Sequence, residues 1–375
     1  MEDYQGGVRS VQIAIIGLPM SGKTTVFNAL TGARARTGGF FSGDANVAVV
    51  QVPDPRLEEL AAIFKPKKVV HATVEYVDAG GVVKGTTKSE GISGRLLNQI
   101  SKADALLNVV RAFRDESVPH PEGSVDAARD VATMELELAY SDLAIIERRM
   151  ERLKESVHKV KPLERETGER EMELLSRLKK GLEMEIPIRA QSLNDDEQQA
   201  IRAFQFLTAK PLLHALNLDE EQLPRAEELL EQVSHGHDAE RTGFTALAGK
   251  VEAEVAELEP EERRQFLEAM GIEEPGVDRV IALSYRLLDY VSFLTVGPDE
   301  VRAWTIRRGT PAQQAAGTIH SDLERGFIRA EVVRYDDLMR VGGSMAEARK
   351  HGLLRLEGKQ YPVQDGDIIN VLFNV

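Results

Sequence analysis

Apolar and polar positions alternate in short runs along the first third of the chain. Val11 to Ile16 is an apolar-rich run that stops at Gly17, which predicts a buried strand. Lys23 to Leu30 then carries helical spacing, with Gly32 as its stop signal. Val47 to Val52, Thr73 to Val77, Ala105 to Val110, Pro211 to Leu216 and Phe244 to Leu247 have strand length and strand character. Strands separated by helical patterns predict an α/β domain with a mostly parallel sheet.

The interval between the runs ending at Val110 and starting at Pro211 is far longer than a crossover needs. Leu136, Ala139, Leu143, Ile146, Met150, Leu153, Val157 and Val160 alternate spacings of three and four, a heptad seam. Pro162 and Gly168 are read as breaks, after which Met172, Leu175, Leu178 and Leu182 restart an apolar face. A second face after a break predicts an antiparallel helical hairpin inserted into the α/β domain. A dimerising coiled coil is the alternative, and the hairpin reading goes with a monomer. Asn194 and Glu197 form a capping-box pattern for one more helix, running through Phe206.

Beyond Pro275-Gly276 the pattern changes to short strands and turns. Val301 to Ile306, Ile328 to Val333, Tyr361 to Val363 and Ile368 to Phe373 read as strands, and Pro311 to His320 as a helix. The expected organisation is a P-loop domain over 9–128 and 209–275, a helical insertion over 129–208, and a small α+β module over 290–375.

Composition adds exclusions. The 375 residues carry a formal charge of −14 and contain no cysteine, which removes disulfides, thiol catalysis and thiolate metal sites. No apolar run is long enough to span a bilayer, and Met1 to Ser10 lacks a signal-peptide core, so a cytoplasmic, non-membrane chain is expected. An acidic chain needs a local basic region to meet RNA. From Arg56 to Arg114 there are ten Lys/Arg against six Asp/Glu, a local surplus of four. Taken alone, that surplus is better read as ordinary solvated charge.

The chemistry begins at Gly17-Leu18-Pro19-Met20-Ser21-Gly22-Lys23-Thr24, two glycines followed by Lys and Thr between a strand and a helix. Such a loop turns backbone N–H groups onto phosphate oxygens, and the helix after it adds its N-terminal dipole. Lys23 would meet the β- and γ-phosphates, Thr24 a Mg²⁺ ion, and Thr25 continues the cradle. Asp78 ends the strand Thr73 to Val77 and could hold Mg²⁺, while the Gly81 N–H could sense a γ-phosphate. Val82 follows, where many GTPases have a water-orienting Gln. Asn217-Leu218-Asp219-Glu220 follows a later strand at the place where GTPases read guanine, but Leu218 and Glu220 replace the Lys and Asp.

These motifs together resemble the Obg-like ATPases of the YchF subfamily, in the translation-factor class of P-loop GTPases. The resemblance runs nearly end to end, through Pro53-Asp54-Pro55-Arg56-Leu57, Val77-Asp78, Arg111-Ala-Phe113, Thr208-Ala-Lys-Pro211, Glu300-Val-Arg-Ala-Trp-Thr305, Gly326-Phe-Ile-Arg-Ala-Glu331 and Val363-Gln-Asp-Gly-Asp-Ile368. The last three resemble a TGS domain, a β-grasp fold. The resemblance implies ATP, or ATP and GTP, as substrate with Mg²⁺, and the ribosome as partner. It places Asn217 and the Leu218 backbone against the base, and aligns Ser42 with a metal-reaching switch threonine. It makes His120, in Val118-Pro119-His120-Pro121, a candidate for acting on the attacking water; an exposed loop histidine is the other reading. Met20 stands where potassium-activated relatives have Asn, so potassium activation does not carry over. His320 is read as a helix cap and Trp304 as core. Two rivals stay open: a P-loop small-molecule kinase, and a non-hydrolysing or strictly GTP-binding scaffold.

Overall fold

The computed structural model describes residues 11–32, 46–78, 94–156, 162–235, 241–272 and 274–374. Ser42, Gly81 and Val82 lie outside them. In chain order the first elements are β1 (Val11–Ile16), α1 (Lys23–Thr31), β2 (Asn46–Gln51), α2 (Pro55–Phe64), β3 (Lys68–Val70), β4 (Thr73–Asp78), α3 (Gly94–Ile100) and β5 (Ala105–Arg111). Next come α4 (Ala127–Ser156), α5 (Pro162–Glu183), α6 (Asp195–Ile201), β6 (Leu212–Asn217), α7 (Ala226–Ser234), β7 (Thr242–Leu247), α8 (Gly249–Val255), α9 (Pro260–Ala269) and α10 (Gly276–Leu287). The C-terminal part holds β8 (Tyr290–Val296), β9 (Glu300–Arg307), α11 (Ala312–Ile319), α12 (Ser321–Arg325), β10 (Phe327–Arg334), α13 (Tyr335–Arg340), α14 (Met345–Lys350), β11 (Arg355–Glu357) and β12 (Asp367–Phe373).

The chain divides into two compact units, Gln12–Ala48 with Tyr76–Leu287, and Met1–Val11 with Val49–Glu75 and Leu288–Val375. The P-loop unit is built on a sheet of order β2-β4-β1-β5-β6-β7. β1, β5, β6 and β7 pair parallel in sequence, as their unbroken apolar runs require of strands covered on both faces. Order reverses on either side of β1, because β4 lies to one side and β5 to the other. In an open parallel sheet, the crevice beyond the carboxyl ends at that switch point is where ligands bind. Gly17, Asp78, Arg111 and Asn217 all fall at those ends.

The helical insertion is a hairpin, as the heptads predict. Ala139, Ile146 and Leu153 of α4 pack with Leu174, Leu175, Leu178 and Leu182 of α5 in one core, with Leu143, Met150 and Met172 at its margin. Val157 and Val160 lie outside the described residues. Two details differ from the reading. Gly168 sits inside α5 rather than breaking it, since a single glycine costs a helix interior only about 1 kcal/mol. The first turns of α4 turn Met134 and Leu138 toward the sheet, into a core with Ile16, Leu106 and Leu212. Asp142 then fastens α4, accepting from the Leu207 and Thr208 amides and the Thr208 hydroxyl at 2.7–2.9 Å. Burial holds its pKa up, to about 6, against those hydrogen bonds. The Asn194–Glu197 capping box is present, but α6 stops at Ile201 and a 3₁₀ turn follows to Phe204.

The second unit is a β-grasp-like sheet of order β11-β10-β12-β8-β9-β3, with α11 on its apolar face. Tyr361 to Val363 is not a strand; Pro362 makes one isolated bridge to Pro311. β8, whose Tyr290–Val296 run is rich in β-branched and aromatic residues, and β11 are strands that the sequence reading does not include. The unexpected member is Val49–Glu75, which the sequence reading placed within 9–128. Its β3 adds to the edge of this sheet beside β9, and Arg56 pairs with Asp54 and Asp365 at 2.8 and 2.9 Å. Tyr335 donates to Glu59, and Lys67 pairs with Asp299. The boundary also moves from Pro275-Gly276 to Leu287, because Arg279 of α10 donates to the Ala246 carbonyl at the end of β7. Trp304 is half-buried at the core margin under Arg302. His320 caps α12, accepting from the Asp322 amide.

Candidate functional site

Gly17 leaves β1 with φ 155°, and Gly22 enters α1 with φ 89°. A side chain at Gly22 would be strained, and its Cβ would stand 2.2 Å from Asn217 Nδ2. A Cβ at Gly17 would stand 2.5 Å from the Val109 carbonyl. The loop is therefore held against β5 and β6 by close backbone approach. Gly22 gives α1 no side-chain cap, and its first turn has no acid. Those helix N–H groups are the kind an anion satisfies. Met20 also has positive φ and is 51 % exposed, at the rim of the loop.

Lys23 is buried and donates to the Leu18 and Gly17 carbonyls at 2.7 and 3.2 Å. Burial lowers its pKa to about 8, opposed by the nearby Asp78 carboxylate. The Thr24 hydroxyl donates to Asp78 Oδ2 at 3.0 Å, which joins α1 to the end of β4. A hydroxyl and a carboxylate so placed fit a hard cation shared with phosphate oxygens. The buried Ser21 Oγ has no hydrogen-bond partner among the described residues, a further polar group at the loop. Thr25 is half-buried on the same turn.

Asn217 is 3 % exposed, and both ends of its amide bind protein. Nδ2 donates to the Ser21 carbonyl at 3.0 Å, and Oδ1 accepts from the Gly249 amide at 3.0 Å. The residue ties the phosphate loop to the start of α8. The sequence reading missed Gly249, whose signal is a glycine opening a helix straight after the last strand of the sheet. A Cβ there would meet Asn217 Oδ1 at 2.8 Å. Leu218 buries its side chain in the core, and its amide donates to the Leu247 carbonyl. Asp219 caps the 3₁₀ turn Glu220–Arg225 in a box with Gln222.

His120 is not an exposed loop histidine. Its side chain is 4 % exposed, Nδ1 accepts from the Glu122 amide at 3.1 Å, and Nε2 faces Asp130 Oδ2 at 2.8 Å. It lines a recess with Leu18, Pro19, Ser21, Arg111 and Asp130. Arg111 is also buried, and donates to the Phe113, Asp115 and Val118 carbonyls of the loop that carries His120. The basic surplus between Arg56 and Arg114 is not one free patch. Arg56 and Lys67 pair within one unit, Arg111 is buried in the other, and Lys84 and Lys88 lie outside the described residues.

Among the described residues no cluster of three or more His, Asp or Glu could hold a metal alone. The Thr24–Asp78 pair accords with that, since phosphate oxygens supply the remaining ligands of Mg²⁺ in P-loop sites. Among the described residues no helix is long and apolar enough to cross a membrane.

Two family models match separate parts of the chain. A family model described as a 50S ribosome-binding GTPase matches residues 12–146. The YchF GTPase C-terminal model, described as a protein of unknown function, matches residues 290–374. The chain is 42 % identical over 365 residues to the ribosome-binding ATPase YchF of Bacillus subtilis, covering 96 % of this chain and 98 % of the relative. It is 35 % identical over 370 residues to Obg-like ATPase 1 of Caenorhabditis elegans, covering 97 % and 92 %. The solved structure of the Schizosaccharomyces pombe YchF GTPase superposes with a TM-score of 0.81 at 29 % identity, covering 98 % of this chain and all of that one. With this fold, this phosphate loop and this extent of identity, the chain belongs to the Obg-like ATPase family, in its YchF subfamily.

Proposed function

We propose that the chain is a purine-nucleotide switch that hydrolyses ATP, and can accept GTP, to the diphosphate and phosphate with Mg²⁺, in association with the ribosome. The observation that carries the reading is the convergence of Lys23, Thr24 and Asp78 on one glycine-shaped loop, with Thr24 and Asp78 3.0 Å apart. Gly17, Met20, Ser21, Gly22, Lys23, Thr24 and Thr25 form the phosphate cradle. Thr24 and Asp78 would hold Mg²⁺ with Ser42, and Gly81 would read the γ-phosphate. Bound there, the ion would supply neutralising charge to the phosphate oxygens. Asn217 fixes the loop, and with the Leu218 backbone borders the base. Leu218 and Glu220, in place of the Lys and Asp that read guanine, support ATP use.

The similarity to a ribosome-binding ATPase and to an Obg-like ATPase supports the ATPase activity, and the former supports the ribosome as partner. A ribosomal partner places the chain in the cytoplasm, and the intramolecular hairpin core supports a monomer. The helical insertion and the β-grasp module are its proposed contact surfaces. A slow, partner-dependent reaction is favoured over a fast intrinsic one, because Val82 cannot orient water and His120 has both ring nitrogens engaged.

The test is phosphate release from ATP with and without ribosomes, alongside co-sedimentation with them. Release that ribosomes accelerate, and that Lys23→Ala abolishes, supports the proposal. Tight nucleotide binding with no phosphate release under either condition would establish the scaffold reading instead.

A further inference from the structure

The family resemblance makes His120 the candidate for acting on the attacking water, and the inference here rests on that reading and on the ATPase function proposed above. A general base needs a free lone pair within reach of the proton that it removes. His120 has none as seated. The Glu122 amide donates to Nδ1, so the ring proton is on Nε2 and is donated to Asp130 Oδ2. The ring and the Asp130 carboxylate are 4 % and 3 % exposed, so water competes weakly for either. The other Asp130 oxygen accepts from Arg129 Nε and Nη2 at 3.1 and 2.9 Å. Arg129 is itself held by the Ser124 hydroxyl and carbonyl. From β5, Arg111 grips the loop through three carbonyls and stacks its guanidinium 4.5 Å over Phe113. From the P-loop side, Leu18, Pro19 and Ser21 close the recess.

Asp130 lies in the first turn of α4, the 30-residue helix that continues into the hairpin. The pair that restrains the histidine is therefore the point where the insertion meets the phosphate site. We propose that Asp130 is a positioning residue that latches His120 in a resting seat beside the P-loop, and that displacement of the root of α4 releases it. Once freed, Nδ1 accepts a proton from the attacking water. That water's oxygen bonds to the γ-phosphorus while the bond from the phosphorus to the bridging oxygen breaks. Diphosphate leaves with the bond's electron pair, and the ring returns its proton to solvent.

The test compares kcat and KM for ATP in the wild type, Asp130→Asn, His120→Gln and the double variant, with Mg²⁺ and without ribosomes. Asn keeps the shape and a neutral acceptor, so the latch weakens without emptying the seat. A three- to tenfold rise in kcat with KM unchanged is expected for Asp130→Asn, roughly the effect of replacing one charge-assisted hydrogen bond by a neutral one. The double variant should fall to the His120→Gln rate. A lower kcat for Asp130→Asn would show that Asp130 orients an active base, and an unchanged kcat that the contact is structural; either overturns the latch while leaving His120 in its role. An unchanged kcat for His120→Gln removes that role, and the latch with it. Imidazole ¹⁵N NMR of the wild-type protein checks the seat without any Asp130 variant: an Nε2–H tautomer is expected, and an Nδ1–H tautomer contradicts it.

Discussion

Lys23 shows how one residue can serve both folding and binding with opposite signs. Its pKa of about 8 lies below the ordinary 10.5, chiefly because of burial. The native state thus binds fewer protons than the unfolded chain between those values, so the charge opposes folding below about pH 8 and the opposition is relieved above it. Phosphate, in contrast, needs the charge. Nucleotide affinity should therefore fall as pH rises past 8, approaching tenfold per pH unit. Titrating affinity from pH 7 to 9.5 checks this, with Lys23→Ala expected to bind weakly and with a flat profile. Asn217 is the second test at this scale. Asn217→Ala leaves the Gly249 amide and the Ser21 carbonyl without their partner, a loss of about 2 to 6 kcal/mol at roughly 1–3 for each buried group. Thermal or urea unfolding measures it, and nucleotide affinity should fall in parallel because the loop loses its tie to β6. The placement of Lys23 and Thr24 on the loop-to-helix turn was legible in residue order, since chain geometry fixes strand–loop–helix locally, and the end of an apolar strand marked Asp78. The second partner of Asn217 could not, because Gly249 is 32 positions away and only sheet register brings it close.

At the scale of elements, the hairpin was legible because its apolar spacing is regular over both helices. What spacing alone could not show is that α4 changes partner along its length. Met134 and Leu138 face the sheet, while Ala139, Ile146 and Leu153 face α5, and Asp142 marks the change between them. The seam was read as starting at Leu136 because periodicity reports a face and not what covers it. Ile146 is fully buried in the hairpin core. Ile146→Ala should destabilise that core by about 2–5 kcal/mol, the range for deleting a large aliphatic side chain. Denaturant unfolding followed by hydrogen exchange in α4 and α5 should localise the loss. Sedimentation should give a monomer for the wild type; a concentration-dependent dimer broken by Ile146→Ala would favour the intermolecular coiled coil.

At the scale of the whole molecule, the chain is a nucleotide-binding unit and a β-grasp-like unit that shares a stretch of the first third of the sequence. Val49–Glu75 has the helix and short strand of any crossover between β2 and β4 and lies within the stretch that the GTPase family model matches, yet its contacts group it with the β-grasp-like unit. Membership was decided by the β3–β9 register and by ion pairs between residues some 230 to 310 positions apart, which no local pattern carries. The parallel sheet, the phosphate loop and the C-terminal module were legible because each is a short-range pattern with a steric or dipolar cause. The central claim is that the phosphate site serves ATP hydrolysis without strict use of guanine. The decisive measurement is competition between ATP and GTP for the protein in the presence of Mg²⁺, followed by phosphate release from the preferred nucleotide. ATP is expected to bind at least as tightly as GTP and to yield phosphate. GTP binding ten times tighter than ATP would contradict it.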